Sequence, residues 1–500
     1  MNLNSILNYK KKNIKNTYVI TKNLVNFITN YTKRNKSLNK IYDDLFFITD
    51  IPPNILRDES NKIIYQSFNF YKSTFSSKFN LKNIVKHFII SFLMTTWHIL
   101  SFFIFLKKEK KNSYDLICDS MLYQTDANRY QKLVKRFKKV CYVGRISHKN
   151  KNKNVVIDCF KFNKFFIGRT NYSFKKRFLM FILVFKILIT SLICRVNLFY
   201  FLNTLLYKIL KYNYIYNKIN SKYYIIGKFY DTSAVQNYFF YKSGGKITSC
   251  IQKNLCELSI SCFLFIDVLF TLGLSHGKIC NKIGGKIKHF FPVGSLYMED
   301  SWYNKRKDLK KVPKCDILLI GLNVSSNPAA RTYRINEDFH NSYYKYISWF
   351  KKLSNEFPNK KIFLKHRDNT TIDPIEAKIL KNSNIKILTK NESINGTYAY
   401  AHKSKLLFSF GSTMIMELLG SGKQGYYIDP EFKNLQWYHD IKFLKNHRIE
   451  SYNKIKKIIS SKINNRKISI RFRNHFCLDS KYTSYRIANY FHNYSSSKGR

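Results

Sequence analysis

A short apolar strand that ends in small hydroxyl residues and opens into a helix can bind phosphate, and Phe408 to Pro430 (FSFGSTMIMELLGSGKQGYYIDP) has that form. It reads as a strand over Leu406 to Phe410, a turn at Gly411, Ser412 and Thr413, a helix, a glycine break and a second strand. Such a junction directs unpaired backbone N–H groups and the positive end of a helix dipole at one point. Met414, Ile415, Leu418 and Leu419 are spaced as one buried helix face, while Thr413 and Glu417 stand one turn apart on another. Glu417 could then hold a ribose or base beside a phosphate at Ser412 and Thr413. The same residues also suit an N-capped helix of an ordinary βαβ unit, with Ser412 or Thr413 as the cap and Glu417 in solvent.

A second cluster stands where the strand of KIFLKHRDN runs out, at Lys365, His366 and Arg367. Three cations there would neutralise a diphosphate, and His366 would donate to a phosphate oxygen or a leaving group. In a basic chain the alternative is a plain basic edge.

The elements that must position these residues follow from composition and periodicity. Five hundred residues allow roughly two to four domains. Apolar content of 45% and aromatic content of 17% exclude a disordered chain. Lys plus Arg number 87 against 30 for Asp plus Glu, a net charge of +57. The basic residues are spread along the chain rather than gathered on one arm or helix, and no zinc-finger, RNP-like or basic-zipper pattern occurs. An anionic membrane is therefore the better electrostatic partner, and nucleic acid is not expected. Ten cysteines without a CxxC pair indicate neither a disulfide framework nor a zinc site and suit a reducing cytosol. MNLNSILNYKKKNIKN lacks the apolar run of a secretory signal, so a cytoplasmic location is expected.

Residues 1–40 read as a polar amphipathic lead-in. Apolar runs then alternate with helix-length intervals: DLFFITD (44–50), DLICD, KVCYVGR, VVIDCF, YYIIGKF and CFLFIDVLF, a parallel α/β pattern. His87 to Leu106 is about long enough to span a bilayer and is followed by lysines, but its histidines, threonines and tryptophan weaken that reading. Phe178 to Leu210 is interrupted by Lys186, Arg195 and Asn197. Both runs suit either a buried core helix or an amphipathic helix lying in the membrane interface. The charged stretch 300–314 reads as a linker, after which the βα rhythm is regular through 315–480, with a closing helix and tail at 481–500. The fold class is thus α/β, with two Rossmann-like doubly wound domains, 41–299 and 315–480, facing a cleft.

Together, KHRDN and FGSTMIMELL resemble the carboxy-terminal half of GT-B glycosyltransferases of bacterial capsule and lipopolysaccharide synthesis, and the related polysialyltransferase, Kdo-transferase and polyol-phosphate polymerase groups. Their strand-ending Lys-x-His or His-Pro motif matches Lys365 and His366, and their Ser-Thr before a Glu-bearing helix matches Ser412, Thr413 and Glu417. DVLFTLG and HFFPVGSLYME resemble the last amino-domain strand and hinge, and FCLDSKYTSYRIANYF the helix that crosses back. Of a Gln-His-Gly-like turn only Gln252 remains, and Arg367 replaces a frequent proline.

The resemblance implies transfer of a sugar from a nucleotide-activated donor in the carboxy-terminal domain to a glycan or lipid-linked acceptor. No metal and no cofactor is expected, and the protein would sit peripherally on the inner face of the membrane. In that scheme Lys365, His366 and Arg367 take the leaving phosphate with Gly411, Ser412 and Thr413, and Glu417 takes the ribose. A general base would come from Asp119, Asp126 or His276. The alternatives are a teichoic-type polyol-phosphate transferase and a non-catalytic membrane-bound scaffold.

Overall fold

The computed structural model describes residues 17–70, 80–104, 111–121, 124–144, 156–160, 166–227, 232–252, 263–277, 279–300, 312–321, 337–366, 373–388, 396–410, 412–430, 442–461 and 469–497. Arg367, Gly411, the side chain of Asp126 and most of the expected 300–314 linker lie outside them.

Apolar runs such as Ile247–Ile251 and Phe265–Thr271, buried at every position, form strands covered on both faces, the environment of a parallel sheet. The first sheet comprises β1 (Asn112–Met121), β2 (Lys139–Gly144), β3 (Val156–Phe160), β4 (Ile219–Ile226), β5 (Ile247–Ile251), β6 (Phe265–Thr271) and β7 (Lys286–Pro292). Their order is β3-β2-β1-β4-β5-β6-β7, all parallel. The second comprises β8 (Cys315–Ile320), β9 (Ile362–Lys365), β10 (Ile385–Leu388), β11 (Ser404–Ser409), β12 (Gly425–Ile428) and β13 (Arg448–Ile449), in the parallel order β10-β9-β8-β11-β12-β13. Each chain path starts mid-sheet, winds outward and then reverses, between β1 and β4 in one domain and between β8 and β11 in the other. These are the two doubly wound domains that the βα rhythm implied.

Amino-terminal helices are α1 (Thr17–Arg34), α2 (Lys36–Thr49), α3 (Pro53–Phe70), α4 (Leu81–Ile104), α5 (Gln124–Val134), α6 (Phe174–Ile193), α7 (Phe199–Lys218) and α8 (Ala234–Lys242). The carboxy-terminal half adds α9 (Glu337–Glu356), α10 (Pro374–Leu380), α11 (Gly396–Lys403), α12 (Met414–Gly420), α13 (Tyr452–Ser460), α14 (Ile470–Phe476) and α15 (Thr483–Ser497).

One sequence expectation is overturned here. DLFFITD is the end of α2, not a strand: Leu38, Ile41, Tyr42, Leu45, Ile48 and Thr49 are buried at helical spacing while Phe46 and Phe47 face out. Within the amphipathic lead-in, α1 buries its apolar face, Leu24, Val25 and Ile28, in the first core.

The Phe178 to Leu210 run is two helices, α6 and α7. The chain turns between them at Arg195, which adopts a left-handed φ of 49°. The closing helix α15 belongs spatially to the first domain, where Ile487, Ala488 and Phe491 pack with Leu116, Tyr142, Tyr223 and Phe270.

Candidate active site

Ligands of doubly wound sheets sit outside the carboxyl ends of the strands, where the winding reverses. In the second domain that point lies between β8, which ends at Ile320, and β11, which ends at Ser409, and register pairs Ile320 with both Ser409 and Lys365. Gly321, His366 and the Ser412–Thr413 turn therefore leave the sheet at one edge. β9 and β11 flank β8, so they stand about 10 Å apart at two interstrand spacings.

His366 is almost fully buried. Its Nε2 lies 2.6 Å from Oε1 of Glu376, whose other oxygen accepts from the Tyr343 hydroxyl at 2.5 Å. A buried carboxylate can only accept here, so Nε2 carries the proton and Nδ1 is left with a lone pair and no hydrogen-bond partner. The ring lies against Gly321, where an added Cβ would come within 2.7 Å of the ring Cε1. Lys365 is also buried, its Nζ donating to the His366 carbonyl at 2.6 Å. Glu376 was missed in the sequence. Asp373 caps α10 and Pro374 opens it, which puts Glu376 at the position whose side chain usually reaches back to the cap. Instead Glu376 turns inward to His366.

The Ser412–Thr413 turn differs from the expected phosphate cradle. Its N–H groups serve the turn itself: Ser412 donates to Ser409 Oγ at 3.0 Å, Met414 to Ser412 Oγ at 3.3 Å and Met416 to the Thr413 carbonyl at 2.9 Å. Tyr427 pins the Ser412 carbonyl at 2.7 Å. Ser412 and Thr413 are both half-buried. The turn also leads to the other face of the sheet from His366. α12 packs with Leu318, Ile320 and Leu407, whereas Tyr343, beside Glu376, packs with Leu319, Leu364 and Phe408.

Glu417 is neither solvated nor placed beside an open turn. It is buried at the seam between domains, accepting from Ser295 of the P-V-G-S hinge and from Tyr398 at 2.5 Å. Burial raises its pKa against the opposing effect of these bonds and of the Arg129 charge. The hinge is tight here, for Gly294 has a φ of 96° and an added Cβ would meet Thr483 Oγ1 at 2.8 Å.

His276 belongs to the same seam. Its Nε2 donates to the Phe476 carbonyl at 2.8 Å, and Nδ1 accepts from Gln252 at 3.1 Å, the residue retained from the expected turn. With both nitrogens engaged it has no lone pair for an acceptor, which removes it as a base. Burial holds its pKa down to about 4. The imidazole is protonated in the unfolded chain below about pH 6.5 but not in the folded one, so its contribution is complete above that value and lost as pH falls toward 4. Between pH 7.5 and 5.0 the wild type should lose on the order of 2 kcal/mol more than His276→Gln in urea titrations. Equal losses would contradict this. Glu417 works in the opposite sense, its contribution being complete below its unfolded value and lost as pH rises through the folded one.

In the first domain the winding reverses between β1 and β4, and Asp119 stands at that end, paired with Val143 and Ile226. Its carboxylate accepts from Tyr224 and from Gln236 Nε2 at 3.0 Å, and its carbonyl accepts from the Gly227 N–H at 3.0 Å. α5, which follows β1, carries Arg129 over the ring of Tyr297 at 4.1 Å, and that charge reaches Glu417. The helices that leave the two reversal points, α5 and α12, thus meet at one interface.

No family model matches the chain, and no curated protein matches it in sequence. Solved structures do align over most of their length. The S. aureus MnaA–UDP complex aligns at 10% identity, covering 76% of this chain and 97% of that one with a TM-score of 0.42. The wall teichoic acid polymerase TagF aligns at 9% identity, covering 83% and 97% with a TM-score of 0.43. A UDP-N-acetylglucosamine 2-epimerase aligns at 8% identity, covering 77% and 97% with a TM-score of 0.43. The fold assignment itself rests on the strand orders and the returning helix: two Rossmann-like domains in the GT-B arrangement.

Proposed function

We propose that this protein is a nucleotide-sugar-dependent transferase that holds its donor at the β8–β11 reversal point and its acceptor at the β1–β4 reversal point. One observation supports this: Ile320, Ser409 and Lys365 end in register at one reversal point and Asp119 stands at the other, while the helices that follow carry Arg129 and Glu417, whose charges interact across the two domains. In this reading the hydroxyls of Ser412 and Thr413 bind the donor phosphates, and His366 stands at the same end of the sheet, on its other face, with Nδ1 buried and without a hydrogen-bond partner among the described residues. Asp119 is the base candidate that remains among the described side chains. It would take the acceptor proton through the carboxylate that Tyr224 and Gln236 orient.

The reading is tested by thermal denaturation with CMP, CDP, UDP and GDP at millimolar concentration. A nucleotide present at about a hundred times its Kd stabilises the folded state by about 2.7 kcal/mol. One of the four is expected to raise Tm by several degrees, and Ser412→Ala with Thr413→Ala to abolish the rise. No response to any of them would favour a non-catalytic scaffold.

A further inference from the structure

Two amphipathic helices present an apolar surface that no part of the described chain covers. On α4, Val85, Ile89 and Leu93 recur every fourth residue and are exposed, Leu93 by 61%. On α6, Phe174, Phe178 and Ile182 do the same. The helices pack side by side and antiparallel: Phe174 at the start of α6 meets Phe102 and Phe103 at the end of α4, and Phe88 near the start of α4 meets Phe185. The two stripes therefore join into one surface.

The opposite faces are anchored in the protein by polar bonds. Ser91 bonds Asn203 of α7, His98 Nε2 bonds Thr170 at 2.7 Å, and Arg177 is buried among backbone carbonyls. A helix bound to the domain along one whole side cannot be surrounded by lipid, although α4 at 24 residues has the length to cross a bilayer. It can lie in the interface with only its outer stripe immersed.

Charge selects the occupant. Neither helix contains an acidic residue, and both ends of the pair carry exposed cations, Lys82 and Lys86 with Arg195 at one end and Lys175 at the other. An apolar face rimmed by cations complements anionic phospholipid: acyl chains below, headgroup phosphates around the edge. We infer that the α4–α6 face is a monotopic docking surface for an anionic phospholipid bilayer, with both helices parallel to the membrane plane. This inference stands apart from the proposed catalytic reading, since none of its residues lies at either reversal point.

The test is co-sedimentation of the full chain with phosphatidylglycerol–phosphatidylcholine vesicles and with phosphatidylcholine vesicles, at low and at 0.1 M salt. The wild type is expected to pellet with the anionic vesicles, and the triple variant Ile89→Glu, Leu93→Glu, Phe178→Glu to bind at least tenfold more weakly with its Tm unchanged. If that variant fails to fold, Lys82→Glu with Lys86→Glu and Lys175→Glu replaces it, leaves the apolar stripe intact and is expected to lose the preference for anionic lipid. Wild-type protein that stays in the supernatant, or a folded triple variant that binds as the wild type does, overturns the inference. So does a wild-type dimer that the triple variant converts to monomer without vesicle binding, which would assign the face to a second copy of the chain.

Discussion

Replacing Glu376 by glutamine is expected to lower sugar transfer about a hundredfold, the scale of a disabled acid–base group, and His366→Ala to lower it at least as far. Glu376 accepts from two donors at once, the His366 Nε2–H at 2.6 Å and the Tyr343 hydroxyl at 2.5 Å. Glutamine keeps the volume but turns an NH2 group toward one of those donors, so the ring loses the partner that fixes its tautomer. Glu376 is a positioning residue in this scheme, and its signature is a fall in kcat with KM for the nucleotide sugar little changed. Loss of packing alone would lower the amount of folded protein and scale the rate with it. Glu376→Asp should restore part of the rate. The measurement is steady-state kinetics, at matched folded fraction, with whichever nucleotide sugar corresponds to the stabilising nucleotide. Wild-type turnover in Glu376→Gln, or a rate loss that follows the folded fraction alone, would show that the pair holds the fold rather than the chemistry.

Arg177→Met should destabilise the protein by roughly 3–5 kcal/mol, the range for breaking a buried charged hub. The guanidinium donates to the carbonyls of Tyr172 at 2.9 Å, His98 at 2.6 Å, Gly168 at 3.2 Å and Thr170 at 2.8 Å, and to Ser101 Oγ at 3.2 Å. Burial already pulls its pKa down to about 10, so these dipoles compensate a real desolvation cost. Methionine fills the space and leaves buried acceptors without donors. Lysine keeps the charge without the planar fork and should recover less than half of the loss. Urea titrations measure both, and a methionine variant within about 1 kcal/mol of wild type would contradict the account.

The sheet cores were readable because parallel strands are apolar on both faces, and KVCYVGR, YYIIGKF and CFLFIDVLF announce themselves as such runs. The same criterion misled at residues 44–50, where a helix face happened to be written without a polar break. Residue pairs brought together by the domain seam were not readable. Ser295 and Glu417 are 122 residues apart, and His276 and Phe476 are 200 apart, so no spacing rule connects them. Glu376 is only ten residues from His366, and Asp373 with Pro374 is a helix-start signal that puts it on the first turn of α10. Which way its carboxylate turned depended on Tyr343, from a helix on the other side of a crossover.

The return of α15 to the first domain has a consequence for how the chain matures. Phe491 stacks on Tyr223 at 4.7 Å and packs edge-on against Phe270 and Phe137, sealing a face of the first sheet. During synthesis that face stays open to water while the 190 residues between Pro292 and Thr483 emerge and build the second sheet. The amino-terminal domain therefore completes only after the second sheet has emerged. The nascent chain depends on α15 to cover an aromatic surface that would otherwise invite aggregation.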